Sequence, residues 1–346
     1  MTESAEKRGL SKASKRRRRR WFGALIIAVL VVVVGSATAV GYVLTSTVRS
    51  ISQVERVPSA LPTGSRPPEP TTSAQTTTSP VNLLLIGSDK RSTTENGRSD
   101  SFVVLHISAD RKNAYLVSFP RDMWVAIPGH GTAKINAAYS WGGSALAVQT
   151  IEQLTGARID HVATTDFSDF VGLVDVVGGV TVDNPVASKS PANSQGNVTG
   201  VSYNWPKGPV TLDGPAALLF SRQRYELPNG DLDRALRPRA LLKALALKVA
   251  TPEVLANPAV LSNVISTVSK HVTVDAQMTD QVILDLATSM RITSGNQITM
   301  LQAPLKGFAV STDGQDYDVV DVAGVAELGK ALENDTMAAY VTAHPA

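Results

Sequence analysis

The sequence predicts an α/β protein with a mixed central β-sheet, helices on both faces of that sheet, and one transmembrane helix ahead of it. Three observations lead to this prediction. A run of 28 uncharged residues, 21–48, directly follows the five arginines of 16–20. Beyond Val81, short apolar runs alternate with segments of helical periodicity. The chain has no cysteine, so a hydrophobic core rather than disulfides must stabilise the folded part.

The uncharged run is long enough to cross a bilayer. A hydrocarbon core of about 30 Å needs a helix of about 20 residues, and residues 21–48 exceed that length. Because basic residues stay on the cytoplasmic side, we expect residues 1–20 to be a cytoplasmic tail. Everything after Arg49 would then lie outside the cell, as in a single-pass type II membrane protein. A cleaved signal peptide, whose apolar region spans about 7–15 residues, is the less favoured alternative.

The charge of the chain is divided unevenly. Residues 1–20 carry nine Lys/Arg against two Glu, whereas the remainder carries 24 basic and 28 acidic residues. The sequence pI of about 9.0 therefore describes the tail, and it gives no argument for a polyanion-binding surface on the outer part. A basic run directly before a spanning helix is a topology signal, so we expect the lipid bilayer, and no nucleic acid, as its partner.

Residues 49–80 are rich in Pro, Thr and Ser. Such a composition buries too little apolar surface to offset the entropy of ordering, so we expect a semi-rigid stalk. Residues 81–346 would form the folded outer domain, which is long enough for a sizeable core. We find no internal repeat and no boundary of a second folded domain.

The elements of that domain follow from periodicity, glycines and turn residues. Strands are expected at 81–87, 102–107 and 114–119, and the polar turn 110–113 would join the last two as a hairpin. A helix at 144–154 would follow Gly142-Gly143 and end at Gly156. Further strands are expected at 162–165, 180–182 and 298–301, and further helices at 167–177, 214–221, 234–250, 258–270, 279–290 and 320–332. Residues 187–208 lack periodicity and indicate a surface loop. The alternation favours a mixed sheet covered by helices.

Standard catalytic signatures are absent from the sequence. It has no G-x-S-x-G elbow, no P-loop and no H-E-x-x-H motif. Its five histidines are scattered without the spacing of zinc ligands. The feature that stands out instead is charge concentrated at strand ends and around one loop.

A first group of charged residues lies at predicted strand ends. Asp89 and Arg91 follow the first strand, Arg98 and Asp100 precede the second, and Arg121 follows the third. If these strands are neighbours, the antiparallel hairpin brings the three ends to one edge of the sheet, where α/β proteins usually bind ligands.

A second group lies further along the chain and comprises Arg222, Arg224, Asp231, Arg234 and Arg237. Arginines hold phosphate oxygens in a bidentate fork, and one or two carboxylates with substrate phosphates suit Mg²⁺. Each Asp–Arg pair alone favours weak surface ion pairs, but together they favour a pyrophosphate site. Since Arg222 and Arg224 are two residues apart, both reach one ligand only if helical geometry ends near Ser221.

These motifs, in one order, resemble those of the LytR–CpsA–Psr family. The resemblance runs from Val81 to about Leu247 and comprises N-L-L-L-I-G-S-D-x-R, R-S-D-S, S-F-P-R-D, K-I-N-A-A-Y-x-x-G-G, L-T-G, G-G-V-x-V, L-D-G-x-x-A-L-x-x-S-R-x-R and G-D-x-x-R. It implies a phosphotransferase that moves a wall glycopolymer from a polyprenyl-pyrophosphate carrier to a peptidoglycan hydroxyl and releases polyprenyl phosphate. The polymer is a teichoic acid, an arabinogalactan or a capsule, and the sequence leaves all three open.

The resemblance also implies roles for individual residues. Asp89 and Asp100 would hold Mg²⁺, with Mn²⁺ as a substitute. The residues that would grip the pyrophosphate are Arg91, Arg98, Arg121, Arg222, Arg224, Arg234 and Arg237. Arg121, Arg222, Arg224 and Asp231 would be catalytic, with Asp231 orienting the arginines or receiving the acceptor proton. The family usually has Arg-Gln where this chain has Arg237-Pro238, which weakens the assignment of Arg237. The apolar helices at 167–177, 216–220 and 241–249 are most simply interpreted as ordinary core, and the resemblance implies that some of their side chains line a hydrophobic pocket for the polyprenyl chain.

Two other functions fit the same residues. A polyprenyl pyrophosphate phosphatase would use the same cation and arginines with water as acceptor. A non-enzymatic scaffold would hold lipid-linked intermediates without turning them over.

Overall fold

Seven strands form the central sheet, each a short run rich in Val, Leu and Ile or closed by a polar turn. Their bounds are β1 (Glu55–Val57), β2 (Val81–Asp89), β3 (Arg98–Ile107), β4 (Ala114–Phe119), β7 (His161–Asp166), β12 (Val272–Asp275) and β13 (Ile298–Gln302). Their order across the sheet is β1-β12-β7-β2-β3-β4-β13. β2, β3 and β4 pair antiparallel, as does β12 with β7, whereas β1 with β12, β2 with β7 and β4 with β13 pair parallel. The predicted mixed sheet is thus confirmed.

The structure is a computed structural model that describes residues 50–69, 78–89, 98–166, 169–184, 186–193, 197, 200–223, 237, 240–241, 243–245, 247–249, 251–255, 257–292 and 295–345. The predicted cytoplasmic tail and the predicted anchor lie outside these residues. In the part of the chain so described, no helix has the length and apolarity needed to span a membrane.

Eight α-helices and four two-stranded ribbons have both ends among the described residues, and helical residues also occur at 50–52, 237, 240–241, 243–245 and 247–249. The helices are α1 (Asn136–Thr155), α2 (Asp169–Val176), α3 (Gly214–Arg222), α4 (Pro252–Leu255), α5 (Pro258–His271), α6 (Asp280–Ser289), α7 (Val322–Glu333) and α8 (Met337–Ala343). The ribbons pair β5 (Trp124–Ile127) with β6 (Gly131–Lys134), β8 (Val180–Asn184) with β11 (Gly208–Leu212), β9 (Ser188–Ser190) with β10 (Tyr203–Trp205), and β14 (Leu305–Val310) with β15 (Asp316–Val320).

Alternation along β2 shows that both faces of the sheet are covered. Leu84 and Ile86 lie in the main core, which α1 and α7 close on one face. Leu83 and Leu85 point to the opposite face and pack with Val282 and other residues of a smaller cluster that includes α6. Successive side chains of a strand point to opposite faces, so the predicted helix layers on the two sides are present.

A second core lies outside the central sheet. It joins α2, α3, β8 and β11 around the buried aromatic rings of Trp205 and Phe220. The apolar residues of 216–220 and 241–245, for which ordinary core packing was the simpler interpretation, contribute to it through Ala217, Phe220 and Leu241.

Helix α1 begins earlier than predicted. It starts at Asn136 and is interrupted at Gly142 and Gly143, where Gly143 has φ 62° and ψ −155°. A side chain at that φ would be strained, which explains why the glycine pair marked a helix start in the sequence. The predicted C-cap is confirmed, because Gly156 ends the helix with φ 76° and donates to Glu152.

The predicted stalk requires a correction over residues 50–69. Glu55–Val57 forms the edge strand β1 and pairs with Thr273–Asp275 of β12. Further along, Arg66 donates to the buried Glu152 on α1, with an Nη2–Oε1 distance of 2.7 Å. The backbone hydrogen bonds of β1 and the buried Arg66–Glu152 pair offset the entropy cost of ordering residues 50–69. Composition alone did not indicate these contacts.

The predicted loop at 187–208 also requires a correction. It contains strands β9 and β10, paired from Ser188↔Trp205 to Ser190↔Tyr203. Residues 188–190 are Ser-Lys-Ser and show no apolar alternation, so periodicity did not indicate a strand there. The strands are held instead by the burial of Trp205 in the second core.

A buried carboxylate joins β12 to β7. Asp275 accepts from the backbone N–H of Val162 and Gln277, and the Nδ1 of His161 lies 3.2 Å from its Oδ2. Burial acts to raise the pKa of Asp275, but the hydrogen bonds from His161, Val162 and Gln277 outweigh it, and the net shift is downward. The folded protein therefore favours the ionised form of this group.

Candidate functional site

Three charged strand ends lie side by side at one edge of the central sheet. The pairing of Asp89 with Arg98 closes the β2–β3 ladder, and the pairing of Phe102 with Phe119 places the end of β4 next to the start of β3. Arg121 follows two residues after Phe119. The convergence predicted from the sequence is confirmed for the backbone positions of Asp89, Arg98, Asp100 and Arg121.

A β-bulge lies at this edge. The β2–β3 register runs from Gly87↔Ser101 directly to Ser88↔Ser99, so Asp100 is the extra residue of β3. A bulge bends its strand and redirects a side chain, and bulges are frequent beside active sites. The bulge interrupts the regular alternation of β3 at Asp100. Asp100 lies two residues from Arg98, which pairs with Asp89 across the ladder.

Helix α1 and strand β7 extend the same edge. β7 runs parallel to β2 with Thr165 opposite Gly87. The hydroxyl oxygen of Ser144 lies 3.3 Å from that of Thr164, so α1 crosses the edge just after its glycine interruption. The backbone N–H of Asn136 donates to the carbonyl of Arg121 at 3.2 Å, which fixes the start of α1 to the loop after β4.

Arg121 belongs to a half-buried charge cluster at the end of β4. Its Nε lies 3.2 Å from Oδ2 of Asp122, and Nζ of Lys134 lies 2.9 Å from Oδ1 of the same carboxylate. Such partly exposed pairs contribute little to stability, but the shared carboxylate orients both cations. Arg121 and Lys134 therefore place two cationic groups at this end of β4.

Lys134 is the residue that sequence reasoning missed. It stands at the start of the K-I-N-A-A-Y motif and ends β6, where it pairs with Trp124 of β5. The motif was a signal, but only the β5–β6 ribbon, which folds back beside the end of β4, brings this lysine to Asp122.

The second predicted group is described only at its two ends. Helix α3 begins with Asp213 as N-cap, whose carboxylate accepts from the N–H of Ala216, and it runs to Arg222. Gln223 has φ −61° and ψ 127°, so the chain leaves helical geometry close to the point expected. The side chains of Asp89, Arg98, Asp100 and Arg222 and the whole residues Arg91, Arg224, Asp231 and Arg234 lie outside what the structure describes.

The assignment of Arg237 to the pyrophosphate site requires a correction. Its side chain is fully buried in the second core, and its guanidinium lies 4.5 Å from the ring centre of Phe220 and 5.5 Å from that of Trp205. It donates to Gln223 and Ser188, and at 3.2 Å to the carbonyl of Val186. A buried arginine must be paired, and these contacts show that Arg237 connects the β9–β10 ribbon to the end of α3.

Two carboxylates at the bulged edge fit a hard divalent cation. In the described residues no group of three or more His, Asp or Glu side chains could hold a metal ion. Asp89 and Asp100 lie at the closing end of one antiparallel ladder, and Mg²⁺ is usually held by one or two carboxylates together with substrate phosphates. Their number and chemistry therefore suit a cation that arrives with a phosphorylated substrate.

The fold and this edge define a class of protein: a mixed α/β protein that gathers carboxylates and arginines at one end of its sheet, in a manner suited to a phosphorylated ligand. Comparison with known proteins identifies the family. The LytR_cpsA_psr family model matches residues 47–334, and the chain belongs to the LytR–CpsA–Psr family. The match also begins before β1, in agreement with the folding of residues 50–69.

Named relatives carry the same domain. An Enterococcus faecalis protein described as polyisoprenyl-teichoic acid–peptidoglycan teichoic acid transferase TagU is 31% identical over 258 residues, 74% of this chain and 79% of that one. The cell wall biosynthesis protein LcpA of Corynebacterium glutamicum is 29% identical over 70% of this chain, which spans about half (53%) of its length.

Solved structures agree with the fold. Bacillus subtilis TagV superposes with a TM-score of 0.62 and 26% identity, covering 75% of this chain and 97% of that one. TagT bound to LI-WTA superposes with a TM-score of 0.57 and 25% identity, covering 80% of this chain and 98% of that one.

Proposed function

We propose that this protein is a phosphotransferase that attaches a polyprenyl-pyrophosphate-linked wall glycopolymer to peptidoglycan. The observation that carries the proposal is the meeting of Asp89, the bulged Asp100 and Arg121 at one sheet edge in a member of the LytR–CpsA–Psr family. The E. faecalis relative is described as such a teichoic acid transferase, and the TagT structure holds LI-WTA.

The reaction balances without an external energy source. A hydroxyl oxygen of the glycan strand attacks the phosphorus that bears the sugar, and the bond from that phosphorus to the bridging oxygen breaks. Polyprenyl phosphate leaves with the bridging oxygen and its electron pair, and a phosphodiester remains. The proton of the hydroxyl goes to a base, for which we propose Asp231. Transfer of this kind depends mainly on positioning and charge neutralisation.

In this reaction Arg121 would bind the pyrophosphate oxygens. Asp122 accepts from its Nε, which fixes the plane of the guanidinium, and Lys134 neutralises the same carboxylate. A planar, oriented guanidinium binds two oxygens at once, which a lysine cannot do. Arg98, Arg222, Arg224 and Arg234, together with Arg91, are proposed to bind the remaining oxygens.

We propose that Asp89 and Asp100 hold Mg²⁺, with Mn²⁺ as a substitute. When bound, a divalent cation neutralises negative charge on the phosphate oxygens. We propose that the two residues supply carboxylate ligands; the support is their backbone position at the closing end of the β2–β3 ladder, beside the bulge at Asp100.

We further propose that the domain acts outside the cell, held by residues 21–48 as a single membrane span. The support is the position of the uncharged run directly after the arginines of 16–20. Protease added to intact protoplasts should remove the domain and leave residues 1–20 protected. Protection of the C-terminus would contradict this orientation.

A defined assay tests the transferase. Full-length protein is incubated with a polyprenyl-pyrophosphate-linked saccharide, Mg²⁺ and peptidoglycan glycan strands, and the products are separated by mass spectrometry. A phosphodiester-linked glycan and polyprenyl phosphate in equal amounts are expected, and Asp100→Ala should abolish both. A free phosphosaccharide formed equally well without glycan would indicate a phosphatase instead. Lipid binding without turnover would indicate a scaffold.

A further inference from the structure

The β14–β15 hairpin has two unlike faces. Its register pairs Phe308 with Asp318 and Val310 with Asp316, and directly paired residues lie on the same face. We call these four residues the hairpin surface. On the opposite face Tyr317 pairs with Ala309 and contacts the body of the domain.

The hairpin surface exposes large apolar groups beside carboxylates. Phe308 is 66% exposed and Val310 is 64% exposed. Apolar residues clustered on a surface and flanked by polar ones mark interaction sites more often than single exposed residues do. From 305 to 321 the chain carries four aspartates and one lysine, so the surroundings are acidic.

The hairpin is attached directly to the loop that carries Arg121. The backbone N–H of Asp318 donates to the carbonyl of Asp122 at 2.9 Å, and Met123 forms a bridge with Asp318. The ring of Tyr317 packs on that of Trp124 with centroids 4.7 Å apart. These contacts fix β15 to the segment directly after Arg121, so the hairpin surface is held close in the fold to the arginine proposed to bind the pyrophosphate.

We propose that the hairpin surface binds the acceptor glycan strand, a proposal that rests on the transferase function above. The apolar C–H face of a pyranose ring packs on an exposed phenyl ring, as apolar groups do on aromatic faces, and its hydroxyls donate to an exposed carboxylate such as that of Asp316. An acidic surface repels the phosphorylated donor, which the arginines attract. The acceptor would thus bind at the acidic hairpin surface and the donor at the arginines. An acceptor hydroxyl would then lie near the donor phosphorus.

The test compares three variants of the full-length protein in detergent: Phe308→Ala, Phe308→Tyr and the control Val201→Ser, which changes an exposed valine on another loop. Transfer is measured against acceptor and donor concentration in turn. Loss of one stacking contact should raise the acceptor KM of Phe308→Ala roughly five- to tenfold, relative to its donor KM. Phe308→Tyr, which keeps the ring, should restore the acceptor KM, and the control should match wild type.

Four outcomes decide the proposal. The expected rise in acceptor KM with rescue by Phe308→Tyr supports it, and a wild-type acceptor KM in Phe308→Ala overturns it. Strong quenching of a Phe308→Trp variant by brominated lipids in nanodiscs, with an unchanged acceptor KM in Phe308→Ala, would identify a membrane contact and also overturn it. If wild type transfers nothing yet binds soluble glycan strands in a Phe308-dependent way, the transferase proposal fails and the glycan site stands.

Discussion

Replacing the buried arginine of the second core gives the most direct test of the fold and of one site assignment. Arg237→Lys keeps a positive charge where Phe220 and Trp205 surround it, but an ammonium group cannot reproduce the fork that reaches Gln223 and Ser188. Leaving a buried charge poorly paired costs about 3–5 kcal/mol. Arg237→Met removes the charge together with its desolvation cost, so we expect a smaller loss of about 1–3 kcal/mol.

Urea unfolding followed by tryptophan fluorescence measures both losses, because Trp205 lies 5.5 Å from the guanidinium. The matched control is Arg158→Lys, since Arg158 makes a partly exposed pair with Glu69 at 3.5 Å and should lose under about 1 kcal/mol. Folded Arg237→Lys protein should bind polyprenyl pyrophosphate about as tightly as wild type. An unchanged unfolding midpoint together with lost pyrophosphate binding would refute this reasoning and return Arg237 to the substrate site.

Three further predictions concern packing, pH and catalysis. Gly329→Ala would place a methyl group against the carbonyl oxygen of Thr155, so it should destabilise the protein by about 1–3 kcal/mol in thermal unfolding, whereas Gly64→Ala, with open space around it, should not. The lowered pKa of Asp275 contributes stability that is present above the ordinary carboxylate pKa and lost as pH falls through the folded pKa; urea midpoints from pH 7 to 3 should show this loss in wild type and a smaller one in Asp275→Asn. Arg121→Lys should lower the transfer rate roughly ten- to a hundredfold with unchanged thermal stability, and a wild-type rate would place Arg121 outside the pyrophosphate site.

The sequence predicted those parts of the fold whose signals are local. The apolar runs of β2, β3 and β4 and the polar turn between the last two fixed a hairpin and, with it, the edge that holds Asp89, Asp100 and Arg121. Helix ends marked by proline and glycine were found close to their positions, as at Pro258 of α5. These features depend on residues that are close together in the chain, so the local sequence pattern predicts them.

The tertiary structure alone decided the features that depend on distant partners. Composition made residues 49–80 a stalk, but Glu55–Val57 pairs with a strand more than 200 residues away. An arginine in a charged segment looks like a ligand-binding residue, yet Arg237 is enclosed by Phe220 and Trp205. Lys134 likewise meets Asp122 only because β6 folds back beside β4. Sequence periodicity indicates which face of a helix or strand is apolar. Which other element packs against that face depends on close packing of the whole chain.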